Sequence, residues 1–317
     1  MPSKRNNALK IYTNIQDFIP TKKVVLTTGT FDGVHFGHQK ILDKVKQISK
    51  EKDAESVVLT FSPHPRKVIF PDDDSLRLIN TLDEKIERFK NSGIDHLIIY
   101  PFTKEFSRIS ALEYVRDFLV NEIKVSTLIV GYDHQFGKNR EGDFTYLTEV
   151  CDLYNFEVIE ISAQDIKDVN ISSTKIRKAI NEGNFKLANE YLGYHFSLTG
   201  KVTEGKKIGK SIGTPTANIL VEDENKIIPN NGVYAVKVCY KKSIYKGVMN
   251  IGNNPTISET NEKTLEVFIF DFDKTIYGEN LCLDFVAKIR EEKKFNSLED
   301  LKNQIEMDKR IAISILD

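Results

Sequence analysis

The sequence predicts an α/β chain in which a parallel-sheet domain is followed by an antiparallel β-barrel and a C-terminal helix. Strand-like and helix-like segments alternate from residue 24 to about residue 156, which is typical of βαβ units. After residue 195 the pattern changes to short strand-like segments separated by turns rich in Gly, Asn, Asp and Lys, as in an antiparallel barrel. We therefore expect two domains, residues 1–186 and residues 187–317, with a linker within residues 183–195.

Five apolar segments in the first half have the length and β-branched content of buried strands. They are residues 24–27, 56–61, 97–100, 127–130 and 157–160. Between them, the pairs Thr81/Glu84 and Ser110/Glu113 form capping boxes that predict two helix starts. Because ligands bind beyond the carboxyl ends of parallel strands, we expect the loops after the first, second and fourth strands to meet at one edge of the sheet.

The loop after the first strand carries the strongest chemical signal. Residues 29–38 read Gly-Thr-Phe-Asp-Gly-Val-His-Phe-Gly-His, and an amphipathic helix follows. A helix N-terminus has unpaired N–H groups and partial positive charge, and glycines let a phosphate approach the backbone. The stretch has neither the Lys-Ser/Thr ending of a P-loop nor the spacing of the dinucleotide motif. We interpret it as a phosphate site to which His35 and His38 add imidazole donors; the alternative is a glycine turn with two surface histidines.

Three further segments of the first half contain candidate ligand groups. Residues 62–65, Ser-Pro-His-Pro, follow the second strand, and residues 131–137, Gly-Tyr-Asp-His-Gln-Phe-Gly, follow the fourth. Residues 171–177, Ile-Ser-Ser-Thr-Lys-Ile-Arg, indicate a helix start with a serine cap. Lys175 and Arg177 oppose the helix dipole there, an arrangement that becomes favourable if a polyphosphate docks at the helix start. The alternative is a solvated basic face on an ordinary helix.

In the second half, the candidate groups are a basic loop and a strand glutamate. Residues 205–218 combine glycines and lysines with Thr216 and Asn218, whose neutral oxygens suit the hard cation Mg²⁺. The loop is not a P-loop, because its first glycine is one residue too close and no parallel βα unit surrounds it. Glu266 shares a strand face with two phenylalanines, and such surroundings raise the pKa of a carboxyl and make it a better base. The alternative interpretation of residues 205–218 is a basic hairpin loop, and the alternative for Glu266 is a glutamate on an exposed strand face.

The composition excludes some classes of partner. With a formal net charge of −1 the chain has no bulk attraction for nucleic acid, so phosphate binding must come from local clusters. No apolar run reaches membrane-spanning length and no signal-peptide core follows the N-terminus, so we expect a cytoplasmic protein without a membrane partner. Cys151, Cys239 and Cys282 are odd in number and far apart, which predicts small buried side chains in a reducing compartment and no disulfide framework or metal motif.

The motifs of both halves resemble one known family. At residues 35–38, His-Phe-Gly-His resembles the HxGH signature of the nucleotidyltransferase superfamily. The motifs GTFDGVHFGH, TFSPHP, GYDHQFG and ISSTKIR together resemble the adenylyltransferase half of bacterial bifunctional riboflavin kinase/FMN adenylyltransferases, also called FAD synthetases. In the second half, GTPTAN, GVYA, GVMNIG and the Leu-Glu pair at residues 265–266 resemble the riboflavin kinase barrel of the same proteins. The resemblance extends from about residue 20 to about residue 310 and implies a Rossmann-like, nucleotidyltransferase-type first domain.

The resemblance also implies an activity. The barrel would phosphorylate riboflavin to FMN with ATP, and the first domain would adenylylate FMN to FAD with a second ATP and release pyrophosphate. It implies Mg²⁺ as cofactor and only ATP, riboflavin and FMN as ligands, with no obligate protein partner. Phosphate on FMN is itself the nucleophile of the second step, so that step needs no catalytic Ser or Cys.

The site residues that the resemblance implies fall into four groups. The catalytic group is His35, His38, Arg177 and Glu266. The nucleotide-binding group is Gly29, Phe31, Asp32, Gly131, Asp133, Ser172, Thr174, Gly209, Lys210, Gly213, Thr216 and Asn218. The flavin-binding group is His64, Pro65 and Arg290, and the metal-binding pair is Thr216 and Asn218. The chain departs from the family pattern at His134, where an aromatic residue is expected, and at Asn170 and Asn254, where arginines occur in relatives.

Two alternatives to this interpretation belong to different classes. In the first, only one of the two sites is active, or the first domain serves a different phosphorylated acceptor. In the second, the chain is a non-enzymatic regulator that binds flavin or nucleotide and uses its barrel as a nucleic-acid module. The balanced net charge argues against the second alternative.

Overall fold

A computed structural model of the chain describes residues 8–162, 171–205, 214–253 and 263–317. The chain divides into two compact units, Met1–Ser172 and Ser173–Asp317. Helices Ser173–Asn181 and Phe185–Leu192 contact each other, and the second of them contacts a strand of the second unit. The domain boundary at residue 186 stays a prediction. No helix in the described part of the chain combines the length and the apolar character needed to cross a membrane.

The first unit is built on a six-stranded parallel sheet with the strand order β1-β4-β3-β2-β5-β6. Its strands are β1 Lys10–Tyr12, β2 Val24–Thr28, β3 Glu55–Ser62, β4 His96–Pro101, β5 Val125–Gly131 and β6 Glu157–Ile161. The five predicted strands are confirmed. Sequence analysis missed β1, because this edge strand has only three residues and none of them is buried.

Helices cover both faces of this sheet. They are α1 Phe36–Glu51, α2 Pro65–Ile69, α3 Leu82–Lys90, α4 Ala111–Glu113 with its π-helical continuation Tyr114–Glu122, and α5 Phe144–Val150. Short 3₁₀ turns occupy Ile15–Asp17, Phe106–Arg108 and Lys138–Arg140. Both predicted capping boxes form, at Thr81/Glu84 and at Ser110/Glu113. Successive residues of a strand point to opposite faces, so Leu26 packs on the α4 side and Val25 on the α1 side. The sheet is therefore buried on both faces, as its uninterrupted apolar strands predict.

The second unit contains a closed antiparallel barrel with the strand order β10-β11-β8-β7-β12-β9, which confirms the predicted fold class. Its strands are β7 Ser197–Thr203, β8 Ala217–Leu220, β9 Gly232–Tyr240, β10 Ser243–Asn253, β11 Lys263–Ile269 and β12 Asn280–Arg290. Its helices are α6 Ser173–Asn181, α7 Phe185–Leu192 and α8 Leu298–Leu316. Sequence analysis missed β8, a four-residue strand with one buried side chain, which is too short to show a period-two pattern.

Four aromatic side chains fix α7 on the barrel. They are Phe185, Phe196, Tyr234 and Phe285. The ring centroids of Phe185 and Phe285 lie 4.9 Å apart, and those of Phe185 and Tyr234 lie 5.6 Å apart in an edge-on contact. The Tyr234 hydroxyl donates a hydrogen bond to the Asn230 carbonyl, which satisfies the only polar group that this ring buries.

We expect Phe285→Ala to lower the free energy of unfolding by about 3–5 kcal/mol, because Phe285 is fully buried and its removal leaves a cavity within the aromatic cluster. Chemical denaturation of the full chain measures the change. Tyr277→Ala is the matched control, since this ring is 51% exposed and its loss should cost less than about 0.5 kcal/mol. Equal losses in the two variants would contradict the assigned role of the cluster.

Candidate active sites

A tight turn connects β2 to the N-terminus of α1. Phe31 and Val34 have φ values of 49° and 35°, in the left-handed region that β-branched and bulky residues rarely adopt. The Asp32 carboxylate stabilises the turn, because its Oδ1 accepts a hydrogen bond of 2.9 Å from the Ile79 N–H. Unfavourable backbone held by surrounding contacts is typical of ligand sites. The turn therefore places Gly29, Phe31 and Asp32 beside the start of α1.

Two histidines stack at the N-terminus of α1. His35 caps the helix, and its Nδ1 accepts a hydrogen bond from the His38 N–H at 3.4 Å. The two imidazole rings are nearly parallel, with centroids 3.6 Å apart. Burial lowers the pKa of His38 well below its ordinary value, and the nearby His35 and Lys85 lower this pKa further. His38 is therefore neutral at pH 7, and its buried Nδ1 has no hydrogen-bond partner within the described part of the chain.

A lysine that sequence analysis missed lies close to these histidines. The Lys85 Nζ, on α3, donates hydrogen bonds of 3.2 Å to the Thr30 carbonyl and to the Thr60 hydroxyl, which belong to the β2–α1 turn and to β3. Burial lowers the pKa of Lys85 to about 8, and the negative charge of Asp32 only partly opposes this shift. The sequence does contain a signal for this position: Lys85 precedes the buried Phe89 by four residues and therefore lies on the same face of α3. A cation is thus present at the edge of the sheet where the phosphate site is predicted.

The strand order brings the three predicted loops to one edge of the sheet. β2 lies between β3 and β5, with Thr28 opposite Leu59 and Thr27 opposite Ile129. The loops that follow these strands therefore leave the same edge. After β3, His64 caps α2, with its Nδ1 accepting from the Arg66 N–H at 3.2 Å, and Pro65 is the first residue of that helix.

The loop after β5 is folded against the same edge. The His134 N–H donates to the Gly131 carbonyl at 3.0 Å. A Cβ on Gly131 would lie 3.4 Å from the Asp133 carboxylate and 3.7 Å from Ile41 of α1, so this glycine brings the loop close to α1. The His134 ring is nearly parallel to Phe136, with centroids 5.7 Å apart. Burial lowers the pKa of His134 to about 4, so a neutral ring occupies the position where an aromatic residue was expected.

The residues predicted to bind the outer phosphates of the nucleotide belong to different units. Ser172 is the last residue of the first unit, whereas Thr174 and Arg177 lie on α6 of the second. Thr174 is exposed and Arg177 is half-buried. Their participation in the nucleotide site stays a prediction, and Asn170 lies outside the described residues.

The barrel brings Glu266, Thr216 and Asn218 together. Glu266 on β11 pairs directly with Asn218 on β8, and the Thr216 hydroxyl donates a hydrogen bond of 3.1 Å to the Glu266 Oε2. On its other side Glu266 pairs with Asn250 on β10, a polar neighbour that sequence analysis did not single out. Residues directly opposite each other on antiparallel strands project to the same face. These four residues therefore form one polar group, which we call the Glu266 cluster.

The remaining predicted residues of the barrel have different settings. Arg290 forms a forked ion pair with Asp308 of α8, with Nε 3.0 Å from Oδ1 and Nη2 2.8 Å from Oδ2. Asp308 is only 3% exposed and also accepts from the Gln304 side chain, so Arg290 joins β12 to α8. A flavin-binding role for Arg290 stays a prediction. Gly209, Lys210, Gly213 and Asn254 lie outside the described residues.

The oxygens of the Glu266 cluster fit a hard cation. Within the described residues no group of three or more His, Cys, Asp or Glu side chains could hold a metal ion by itself. Thr216, Asn218 and Glu266 instead offer one hydroxyl, one amide and one carboxylate. Mg²⁺ is commonly held by few protein oxygens together with substrate phosphates, so this donor set is compatible with a metal that arrives with ATP.

Comparisons with known proteins agree with this division of the chain. A family model described as FAD synthetase matches residues 19–175, and one described as riboflavin kinase matches residues 192–316. A bifunctional riboflavin kinase/FMN adenylyltransferase of Listeria monocytogenes is 38% identical over 286 residues, which cover 90% of each chain. The protein of the same name from Bacillus subtilis is 36% identical over 295 residues, covering 92% of each chain.

A solved structure has the same fold over almost the whole chain. It comes from Streptococcus pneumoniae, is described as a macrolide-efflux protein, and superposes with a TM-score of 0.86 at 29% identity. The match covers 96% of this chain and 98% of that one. Because both family models match in order and the curated relatives match over 90% or more of each chain, this chain belongs to the family of bifunctional riboflavin kinase/FMN adenylyltransferases.

Proposed function

We propose that the chain makes FAD from riboflavin in two ATP-dependent steps, at one site in each unit. The barrel transfers the γ-phosphoryl group of ATP to riboflavin and produces FMN and ADP. The parallel-sheet unit transfers the adenylyl group of a second ATP to FMN and produces FAD and pyrophosphate. The observation that supports two separate sites is that each unit has its own cluster: the stacked His35 and His38 in the first and the Glu266 cluster in the second.

In the kinase step, Glu266 acts as the general base. The ribityl 5′-hydroxyl is a poor nucleophile until its proton is removed. As its oxygen bonds to the γ-phosphorus and the bond to the β-phosphate oxygen breaks, the proton passes to Glu266. Thr216 donates to the Glu266 Oε2, and Oε1 makes no hydrogen bond within the described part of the chain, so this oxygen is the proton acceptor. Thr216 is thus the residue that orients the base.

The kinase step also needs neutralisation of phosphate charge. Thr216 and Asn218 would hold a Mg²⁺ ion, which lowers the cost of bringing the anionic phosphates together. Asn218 lies opposite Glu266 on the neighbouring strand and Thr216 bonds to the Glu266 carboxylate, so the residues that would hold the metal lie beside the base.

In the adenylyl transfer step, the chain has to position two anions and stabilise the leaving pyrophosphate. The phosphate oxygen of FMN attacks the α-phosphorus of ATP, and the bond from that phosphorus to the β-phosphate oxygen breaks. The N-terminus of α1 supplies backbone N–H groups and the positive end of the helix dipole, and His35 and His38 supply imidazole groups at the same place. Lys85 adds positive charge at this edge of the sheet and holds the turn through Thr30.

The ligands of the chain are small molecules in this proposal, namely ATP, riboflavin, FMN and Mg²⁺. We place the reactions in the cytoplasm, with no obligate partner of protein, nucleic acid or membrane. The discriminating experiment incubates the chain with riboflavin, ATP and Mg²⁺ and separates FMN from FAD over time. A chain that binds flavin but forms neither product would be a regulator.

We expect His38→Ala to lower the rate of FAD formation by at least about 100-fold, because it removes a preorganised group from the phosphate site. FMN formation from riboflavin should stay within twofold of the wild-type rate, since that step belongs to the other unit. Gln47→Ala, on the exposed part of the same helix, is the control and should change neither rate. Loss of both activities in a folded His38→Ala protein would contradict the assignment of two sites.

We expect Glu266→Gln to lower FMN formation from riboflavin by about 100-fold or more, because the amide cannot accept the proton while its oxygen can still accept from Thr216. FAD formation from supplied FMN should continue at the wild-type rate. Both rates are measured by separating the products after the enzyme has been supplied with either riboflavin or FMN. Glu306→Gln, at an exposed position of α8, is the matched control. An unchanged kinase rate would exclude Glu266 as the base.

The charge of Lys85 predicts a pH dependence of adenylyl transfer. Its pKa of about 8 means that the ammonium is charged below this pH and loses its proton above it, so the rate with supplied FMN should fall as pH rises through about 8. The charged or titratable groups that interact with it are Asp32 and His38, and His38 is already neutral in this range. Neither of these groups therefore lowers the rate of adenylyl transfer as the pH rises through 8.

Two variants separate this charge effect from packing. Lys85→Arg should move the alkaline decline to higher pH, because guanidinium stays protonated. Lys85→Met should lower the rate of adenylyl transfer below pH 8 by about tenfold and remove the alkaline decline. The control is Lys90→Met, at the exposed end of the same helix, which should keep the wild-type pH profile. A kinase rate equal to that of the wild type shows that the variant is folded. A wild-type decline that persists in Lys85→Met would disprove the role of this lysine.

A further inference from the structure

Two of the three cysteines lie opposite each other in the barrel. Cys239 on β9 pairs in register with Cys282 on β12, both thiols are half-buried, and neither forms a disulfide. The sequence predicts small buried side chains, whereas these two thiols are only half-buried, and closure of the barrel brings together strands that are distant in sequence. Residues directly opposite on antiparallel strands have Cβ atoms about 4.5–5.5 Å apart. Their Cα atoms are about 4.5–5.5 Å apart, within the range of about 4.4–6.8 Å that a disulfide requires.

The two thiols share a polar environment on the outside of the barrel. The Asp284 carboxylate has Oδ2 3.7 Å from the Cys239 Sγ and Oδ1 3.8 Å from the Cys282 Sγ. Lys237 pairs with Asp284 across the same two strands. Leu283, the residue between Cys282 and Asp284 on β12, is fully buried, so the cysteines do not fill the barrel core. Packing alone does not explain why this charged cluster contains two sulfurs.

The two thiols differ in chemical character. A hydrogen bond from Cys282 lowers the pKa of Cys239, and the positive charge of Lys237 acts in the same direction against the opposing charge of Asp284. The same hydrogen bond and stronger burial raise the pKa of Cys282. Thiol reactivity follows thiolate content, so Cys239 is the nucleophile and Cys282 is the thiol that reacts second.

We propose that Cys239 and Cys282 are a modification site at which a hydroperoxide forms a reversible disulfide between β9 and β12. The Cys239 thiolate sulfur attacks one peroxide oxygen, the O–O bond breaks, and hydroxide leaves and takes up a proton, which gives a sulfenic acid. The Cys282 sulfur then attacks the Cys239 sulfur, the S–O bond breaks, and water leaves with the Cys282 proton. Two thiols and one hydrogen peroxide thus give one disulfide and two waters, and a dithiol reverses the reaction.

The disulfide should stabilise the barrel without blocking the kinase site. It links two strands that are already neighbours, so the folded chain needs little rearrangement, while the unfolded chain loses conformational freedom. Asn250, which pairs with Glu266, also pairs with Val233 near the other end of β9. Cys239 is six residues further along this strand, about 20 Å away at the rise of a β-strand. The Glu266 cluster therefore lies far from the cross-link.

The test is oxidation of the full chain with hydrogen peroxide. We expect the thiol count of the denatured protein to fall from three to one, the mass to decrease by two hydrogen atoms, and a peptide containing Cys239 linked to Cys282 to appear by mass spectrometry. Dithiothreitol should restore all three thiols. The oxidised protein should unfold at a temperature several degrees above that of the reduced protein.

Three variants identify the pair. Cys151→Ser should still lose two thiols and gain stability, whereas Cys239→Ser and Cys282→Ser should form no internal disulfide and show no gain. Oxidation of Cys239 to sulfinic acid without a linked peptide would overturn the proposal, as would a disulfide that includes Cys151 or joins two chains. None of these measurements depends on the flavin chemistry, so their failure leaves the proposed function intact.

Discussion

The turn from β2 into α1 constrains the whole of the first unit. β2 is buried at every residue, and its parallel pairing with β3 and β5 sets the direction in which it ends. Between that end and the start of α1 the backbone passes through left-handed conformations at Phe31 and Val34, each of which costs of the order of 1–3 kcal/mol. The hydrogen bonds of Asp32 and Lys85 to neighbouring segments offset this cost. As a result, the N-terminus of α1 and two imidazoles lie at the carboxyl edge of the sheet.

In the second unit, strand register determines which polar side chains lie next to each other. In an antiparallel barrel each residue has fixed partners on both neighbouring strands, and a shift by one residue would turn its side chain to the other face. The pairing of Glu266 with Asn218 and Asn250 is therefore set by the buried residues of β11, namely Leu265, Val267 and Ile269. The same constraint places Cys239 opposite Cys282. Core packing thus determines which polar groups meet outside the barrel.

Burial sets the protonation of the first site. Loss of hydration disfavours charge on His38 and His134, so both rings are neutral at pH 7. Lys85 is buried less completely and is stabilised by Asp32, so it keeps its proton up to about pH 8. One edge of the sheet therefore combines neutral hydrogen-bonding rings with the titratable cation of Lys85. This division suits a reaction in which charge builds up on a departing pyrophosphate.

Local pattern in the sequence determined the fold class, the capping boxes and most of the strands, because periodicity and capping depend on residues within one or two turns of each other. It missed β1 and β8, which are too short to show a period. Only the tertiary structure decided that Lys85 reaches the β2–α1 turn, that Arg290 is paired with Asp308, and that two distant cysteines are neighbours. These contacts join residues from separate elements, and their partners are chosen by strand order, register and helix packing, which no short stretch of sequence specifies.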